Sequence, residues 1–282
     1  MPNTEPKGAT ARPRRARGRG PKTTPSGYLG LGEMFDDRIL GTDSAHVFFV
    51  SAQALAAHAQ LVVEVGCGRG AAVEVDQPGG PWQDLRGEGR TVIGIDIEDA
   101  GTANPVIDEF RLIGDDGRWP LDDASVDLAV SDYVLEHVTD PEDFVNELAR
   151  VLRPGGTFIG RTVSRRSLLS LVARVVPNER HAGAVARLQP GREAQDVFHT
   201  AYRMNTRADL ARVFDADFDW ALAHRTGLEQ YFKPWPRLRK VIGATERYLP
   251  TGTWMGLVVF ARRRAAGHGL RVPDATVNGP EA

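Results

Sequence analysis

The chain of 282 residues is 41% hydrophobic and 26% charged, with a formal net charge of −2. That composition suits a soluble protein with one sizeable α/β core and excludes a chain that is polybasic throughout. Cys67 is the single cysteine, which excludes an intrachain disulfide and a multi-cysteine metal site. No run approaches about 18 uninterrupted apolar residues, so no transmembrane helix is expected, and the expected location is the cytoplasm.

The charge is uneven along the chain. Residues 1–27 hold seven cations, from Lys7 to Lys22, against Glu5 alone, so this end carries +6 and the remainder −8. With five prolines and little apolar surface, residues 1–27 read as a disordered basic tail. It either solubilises the chain or touches nucleic acid or anionic lipid. Arg14-Arg15 has no apolar run behind it, unlike a twin-arginine export signal.

Folded sequence is expected over 28–264. Residues 44–60 predict a helix, with Val47, Val50, Ala54, Leu55 and Ala57 along one face. "LVVEV" (61–65) is a short β-branched run ending in glycines, a buried strand. "TVIGID" (91–96) predicts a second strand with Asp96 at its end, "VDLAVSD" (126–132) a third and "TFIGRTV" (157–163) a fourth. Between the last two, "DPEDFVNELARVLRPGG" predicts a helix. Asp140 caps it, Pro141 suits its first position, and Phe144, Val145, Leu148, Val151 and Leu152 form its apolar stripe. Pro154-Gly155-Gly156 should end it. Strands alternating with helices argue for a parallel sheet covered on both faces.

After the fourth strand the alternation lapses. Residues 165–216 read as a helical cap insertion, with "TRADLARVF" a short amphipathic helix. Strands return at "WALAHRT" (220–226) and "WMGLVVFARR" (254–263), with a helix at 237–249 between them. Residues 265–282 predict a flexible tail.

Ligands of open α/β sheets bind at the carboxyl ends of strands. Gly66, Gly68 and Gly70 end the first strand, and Asp96 ends the second, where it can accept from both hydroxyls of a ribose. This much suits NAD as well as an adenosyl nucleoside, and a plain strand-to-helix turn also has such glycines. A dinucleotide, however, sets its pyrophosphate on the helix after the glycines. Here only "AAVEV" follows before Asp76-Gln-Pro-Gly-Gly-Pro81, and Ala71 rather than a third spaced glycine follows Gly70. Glu64, two residues before the loop, would repel a pyrophosphate and attract an ammonium.

Together "VEVGCGRG", "VIGIDI" and "GDDGRWPLDDASVDLAVSDYVLEHV…LARVLRPGG" resemble the class I S-adenosylmethionine-dependent methyltransferases that act on small molecules. The likeness runs from about Leu61 to Gly156. It implies a Rossmann-like, mostly parallel seven-stranded sheet with helices on both faces and the last strand antiparallel, and S-adenosyl-L-methionine as cofactor. It also implies that Glu64, Gly66, Cys67, Gly68, Gly70, Asp96 and Ile97 surround the cofactor. By the same likeness Asp115 meets the adenine amino group and the N–H of Asp116 a ring nitrogen. Ser131, Asp132 and Tyr133 then line the methionine end and the substrate mouth. Bland readings stand beside these: Asp115 and Asp116 as turn residues, Asp132 as a strand end, Arg69 as a loop charge, and Cys67 as a small packing residue. The sequence departs from the family in having Glu rather than Asp at 64, and "DQPGGPWQDLRGEGR" where a regular helix is usual. Trp82 within it either covers the site or packs on the sheet.

The acceptor side is less determined. His137 in "YVLEHV" is either a general base or a packing residue. "DVFHTAYRMNT" (196–206) brings His199, Tyr202, Arg203 and Asn205 into a mixed polar and aromatic wall suited to substrate binding, with His199 a second candidate base. Residues 161–181 join Arg161, Arg165, Arg166 and Arg174 to an apolar stripe, either a lid helix or a peripheral membrane contact. No carboxylate set suits Mg²⁺. The expected function is methyl transfer to a small-molecule acceptor, a hydroxyl of a natural product, sugar or lipid. The alternatives are a non-catalytic S-adenosylmethionine-binding module and an RNA methyltransferase using the basic tail. Nucleic acid is the weaker partner because the folded part is acidic and lacks an "NPPY"-type motif.

Overall fold

The computed structural model describes residues 44–70, 83–167, 170, 200–232 and 235–265. The basic tail, Trp82, His199, Arg174, nearly all of the C-terminal tail and most of the cap lie outside the described residues.

One seven-stranded sheet organises the chain, in the order β3-β2-β1-β4-β5-β7-β6. The strands are β1 Leu61–Val65, β2 Thr91–Asp96, β3 Glu109–Leu112, β4 Val126–Asp132, β5 Leu152–Val163, β6 Phe218–Arg225 and β7 Gly256–Arg263. Strands β1 to β5 pair in parallel, and β7 runs antiparallel to both β5 and β6. The sheet is thus mostly parallel with the last strand reversed, as the resemblance implied. Its helices are α1 Ser44–Ala56, α2 Pro141–Val151, α3 Arg207–Phe214 and α4 Pro236–Glu246.

Strand alternation divides the core in two. Val63, Val65, Ile93, Ile95 and Ala129 face α2 and α3, where Leu148, Leu210 and Phe214 meet them. Val62, Val92, Leu128, Val130 and Ile159 face α1, where Phe48, Phe49 and Ala52 cover them. Glu64 shares the parity of Val62 and so lies on the α1 side. β4 is buried on both faces over Val126–Ser131, so its residues are mostly apolar, and its Asp127 is satisfied by the N–H groups of Gln60 and Leu61.

Three expectations change. A third strand, β3, precedes "VDLAVSD", so the strand that leads into residues 165–216 is the fifth and not the fourth. On α1 the buried positions are Val47, Phe48, Phe49, Ala52 and Ala56, while Val50, Ala54 and Ala57 are exposed; the two large rings set the face and the smaller residues follow. α2 ends at Val151, before Pro154-Gly155-Gly156, and the chain enters β5 at once. The Pro-Gly-Gly lies in a bulge within β5, where pairing jumps from Val126–Leu152 to Leu128–Thr157 and Gly155 takes φ +83°. The cap of α2 is as expected, with the Asp143 N–H donating to the Asp140 carboxylate at 3.2 Å.

Candidate functional site

The glycine loop leaves β1 at the carboxyl edge of the sheet. The N–H groups of Gly66 and Cys67 donate to the Ile95 carbonyl at 2.8 and 3.3 Å, tying the loop to β2. Gly66, Gly68 and Gly70 have φ of +70°, +47° and +66°, a region costly for residues with a Cβ. A Cβ at Gly66 would lie 2.3 Å from Val134, and one at Gly70 2.6 Å from Asn104. At Gly68 a Cβ would meet nothing within 4 Å among the described residues, which leave the loop open on this side. Asn104 closes the other side. Its amide donates to the Cys67 carbonyl at 2.9 Å and accepts from the Val106 N–H at 3.0 Å.

Asp96, at the end of β2, accepts from the Gly68 N–H at 2.9 Å and from the Glu98 N–H at 3.2 Å, one bond to each oxygen. Each carboxylate oxygen keeps a further lone pair for a hydroxyl. Ile97 follows it, 71% exposed, and Leu112 is exposed at the end of neighbouring β3. These two offer apolar surface beside the acid. Asp115 and Asp116 come next, exposed in the turn 114–117, where the Asp116 carboxylate accepts from the Arg118 N–H at 3.1 Å.

Glu64 is half-buried, and the charges acting on it are the carboxylates of Asp132 and Asp96. Burial first, then those two charges, push its carboxyl up to about 8. Burial, with help from Glu64 and Asp96, likewise pushes the Cys67 thiol up to about 12, which suits a packing residue and not a nucleophile.

The end of β4 forms the adjoining wall. Ser131 is fully buried, and its hydroxyl has no hydrogen-bond partner among the described residues. Asp132 takes a bidentate pair from Arg161 of β5, at 2.6 and 2.7 Å. The Arg161 guanidinium also lies 4.5 Å from the centre of the Tyr133 ring and 5.2 and 5.3 Å from Phe48 and Phe49 of α1. Arg161 was expected in a stripe over 161–181, either a lid helix or a membrane contact; it is buried in β5, and its charge is spent inside the fold. Tyr133 stands at φ +56°, turning the chain sharply off the strand, and His137 follows, half-buried, its N–H on the Val134 carbonyl at 2.8 Å.

Residues 200–206 cross the ends of β4 and β5. The Glu136 carbonyl accepts from the N–H groups of Ala201 and Tyr202 at 2.8 and 3.0 Å. Arg203 donates to the Thr139 carbonyl at 2.7 Å. Asn205 is fully buried and donates to the Thr162 hydroxyl at 2.8 Å and the Val163 carbonyl at 2.7 Å. It pins the segment to β5 from below, away from any open surface, whereas Tyr202 is half-buried beside Glu136. Glu136 itself is buried, accepts from Thr162 at 2.7 Å, and is pushed up to about 7, chiefly by burial.

Sequence reasoning missed Asn104 and Glu136 and gave Arg161 a different role. An apolar-flanked arginine inside "TFIGRTV" and a glutamate inside "YVLEHV" were the available signals, since a charge in a buried strand or turn needs a partner. Asn104 gives no sequence signal, because its role depends on the approach of a loop 37 residues away.

The open side at Gly68, the unrelieved carboxyl of Glu64, the strand-end acid Asp96 and the apolar Ile97 and Leu112 fit a ligand with a cationic head, a ribose diol and a base. They suit a pyrophosphate less, since it would meet the Asp96 carboxylate beside the loop.

Comparison with known proteins agrees. Residues 63–160 match a family profile described as a methyltransferase domain. Over 109 residues the chain is 38% identical to a probable S-adenosylmethionine-dependent methyltransferase of Mycolicibacterium smegmatis, covering 37% of this chain and 38% of that protein. It is 30% identical to a malonyl-[acyl-carrier protein] O-methyltransferase of Yersinia pestis over 46% of this chain and 47% of that one. A geranyl diphosphate C-methyltransferase from Streptomyces coelicolor, solved with S-adenosyl-L-homocysteine, is 18% identical, with a TM-score of 0.46 over 77% of each chain. The matched part is less than half the length of these two curated relatives. It begins in β1 and ends in β5, the half of the sheet that holds the glycine loop, Asp96 and the Ser131–Tyr133 wall, so this half of the sheet is similar to the methyltransferase domain of S-adenosylmethionine-dependent enzymes.

Proposed function

We propose that the protein transfers a methyl group from S-adenosylmethionine to a hydroxyl or carboxylate oxygen of a small-molecule acceptor. The observation that carries this reading is Glu64, a half-buried carboxyl whose charged neighbours are carboxylates and which a cationic ligand would relieve. Bound S-adenosylmethionine supplies a methyl group already activated by its sulfonium. The chain has to align and dry the reaction, which is worth roughly 7–11 kcal/mol in well-oriented systems.

Glu64 and the open face at Gly68 hold the amino-acid end, and Asp96 holds the ribose. The Asp132–Arg161 pair fixes Tyr133 at the mouth, with the aromatic pair of α1 behind it. His137, in the turn after β4, is the residue we assign to accept the acceptor's proton, a role worth about 10²–10⁴-fold. An oxygen acceptor is supported by the named activities of similar proteins, the Yersinia enzyme above and a ubiquinone biosynthesis O-methyltransferase of Maricaulis maris, 32% identical over 38% of this chain.

The test is calorimetric titration with S-adenosylhomocysteine, followed by acceptor screening for its release from S-adenosylmethionine. Micromolar binding that Asp96→Ala weakens is expected. No binding, or tight binding of NAD instead, overturns the reading. Binding without turnover, or His137→Ala keeping full kcat, removes only the catalytic assignment.

A further inference from the structure

β6 ends at Arg225 and β7 begins at Gly256, side by side with Val163 at the end of β5. Residues 226–255 therefore stand on the carboxyl edge of the sheet, the edge that carries the glycine loop. Within them α4 is anchored by one buried carboxylate. Glu246 accepts from the N–H groups of Gly227 and Leu228, both at 2.9 Å, and of Met255 at 3.0 Å. It is the only buried residue of this helix.

The outward surface of α4 and its last turn has two adjacent rows. Arg237, Lys240, Ala244 and Arg247 form one; Leu238, Val241, Thr245 and Tyr248 form the other. Each is spaced i, i+3, i+7, i+10, which aligns its members along a helix, and all eight residues are exposed. One row is basic. The other is largely apolar, with Val241 61% and Tyr248 90% exposed. Trp235, also exposed, stands at the start of the helix. Neither row contains a carboxylate, although the chain beyond residue 27 carries a net −8.

We propose that α4 is a docking ridge for an anionic lipid bilayer. An apolar row beside a basic row, with tryptophan and tyrosine at its ends, matches what the boundary between acyl chains and headgroups accepts. The helix buries only Glu246, and its basic row borders a cleft that Lys240, Ala244 and Arg247 line with Glu229. A deformable lipid surface covers such relief, whereas a protein partner would need a matching shape. The acidic remainder of the fold is repelled by the same surface, so charge also sets the orientation. Docking rests on α4 alone. One consequence rests in addition on the proposed reaction: the acceptor mouth at Tyr133 would lie on the edge nearest the lipid.

The full chain is sedimented with vesicles of equal parts phosphatidylcholine and phosphatidylglycerol, and with phosphatidylcholine vesicles. Binding to the mixed vesicles is expected, weaker by about tenfold or more on the neutral ones. Arg237→Gln with Lys240→Gln, and separately Leu238→Ser with Val241→Ser, should each lower binding by about tenfold and leave the melting temperature unchanged, since all four side chains are exposed. Failure of the native chain to sediment with anionic vesicles overturns the proposal. So does binding that both double variants retain, which assigns it to the basic residues 1–27, or capture of an acidic carrier protein with no vesicle binding. None of these outcomes bears on methyl transfer, which is read separately by cofactor binding.

Discussion

At Glu64 burial and two neighbouring carboxylates act in the same direction, holding the proton on to about pH 8. Between the ordinary value of 4.5 and that point, the unfolded chain releases this proton and the folded chain keeps it, so the residue lowers stability as pH rises. Glu64→Gln should therefore raise the melting temperature of the ligand-free protein at mildly alkaline pH while weakening S-adenosylmethionine binding by about tenfold or more, the loss of a charged hydrogen bond. Paired thermal and calorimetric titrations check it. Loss of stability together with unchanged affinity would remove Glu64 from the cofactor site. The glycines two and four residues on separate two kinds of requirement. Gly66→Ala drives a Cβ into Val134 at 2.3 Å and should cost about 2–4 kcal/mol of stability. Gly68→Ala meets open space and should cost only about 1–2 kcal/mol, yet block the ligand face. Denaturant midpoints and cofactor affinity, measured on both variants, should rank them in opposite orders.

Among elements, α4 has one buried residue, Glu246, and its loss should be felt locally. Glu246→Ala leaves the N–H groups of Gly227, Leu228 and Met255 without their acceptor, at about 1–3 kcal/mol each. Hydrogen exchange should quicken over 226–255 and stay unchanged in β1, β2 and β4; uniform acceleration would mean that the segment is part of the global unfolding unit. The strands easiest to read from sequence were the mostly buried β1, β2 and β4, which are rich in valine and isoleucine. β3 escaped because "EFRL" is short, at the sheet edge and charged, with Arg111 paired to Glu109 at 2.8 Å in solvent. The Pro-Gly-Gly after α2 is a fair stop signal for a helix, and the helix does stop before it. What it could not show is that pairing with β4 already holds at Leu152 and re-forms at Thr157 around the bulge.

For the whole molecule, the raised carboxyls of Glu64 and Glu136, at about 8 and 7, both give a stability that falls as pH climbs through neutrality. Carboxylates held below their usual range by arginines, such as the exposed Glu109 and the half-buried Glu147, act at the other end, and their contribution is lost on acidification through their lowered values. Maximum stability is therefore expected on the acid side of neutral. Saturating S-adenosylmethionine should flatten the decline above it by accepting the ionised Glu64, with a proton released on binding; calorimetry in buffers of different ionisation enthalpy reads that proton directly. The proposed cofactor edge was largely legible in the sequence because its parts, Glu64, the glycines, Asp96 and Ser131–Tyr133, each sit at or beside a strand end with a local signal. Arg161 was not legible as its keystone, since only folding brings it over Asp132 and three aromatic rings.

The strand order carries one more implication. β6 touches the sheet only through β7, which is made after it yet lies between it and β5. During synthesis, β1 to β5 can assemble as they emerge, but β6 must wait, an exposed and partly apolar ribbon, until Arg263 has left the ribosome. A chain stopped before Gly256 would leave both β5 and β6 with bare backbone edges, the surface on which strands of other chains add. The last strand thus acts as a closing stitch, and nascent chains arrested before it should be the aggregating species.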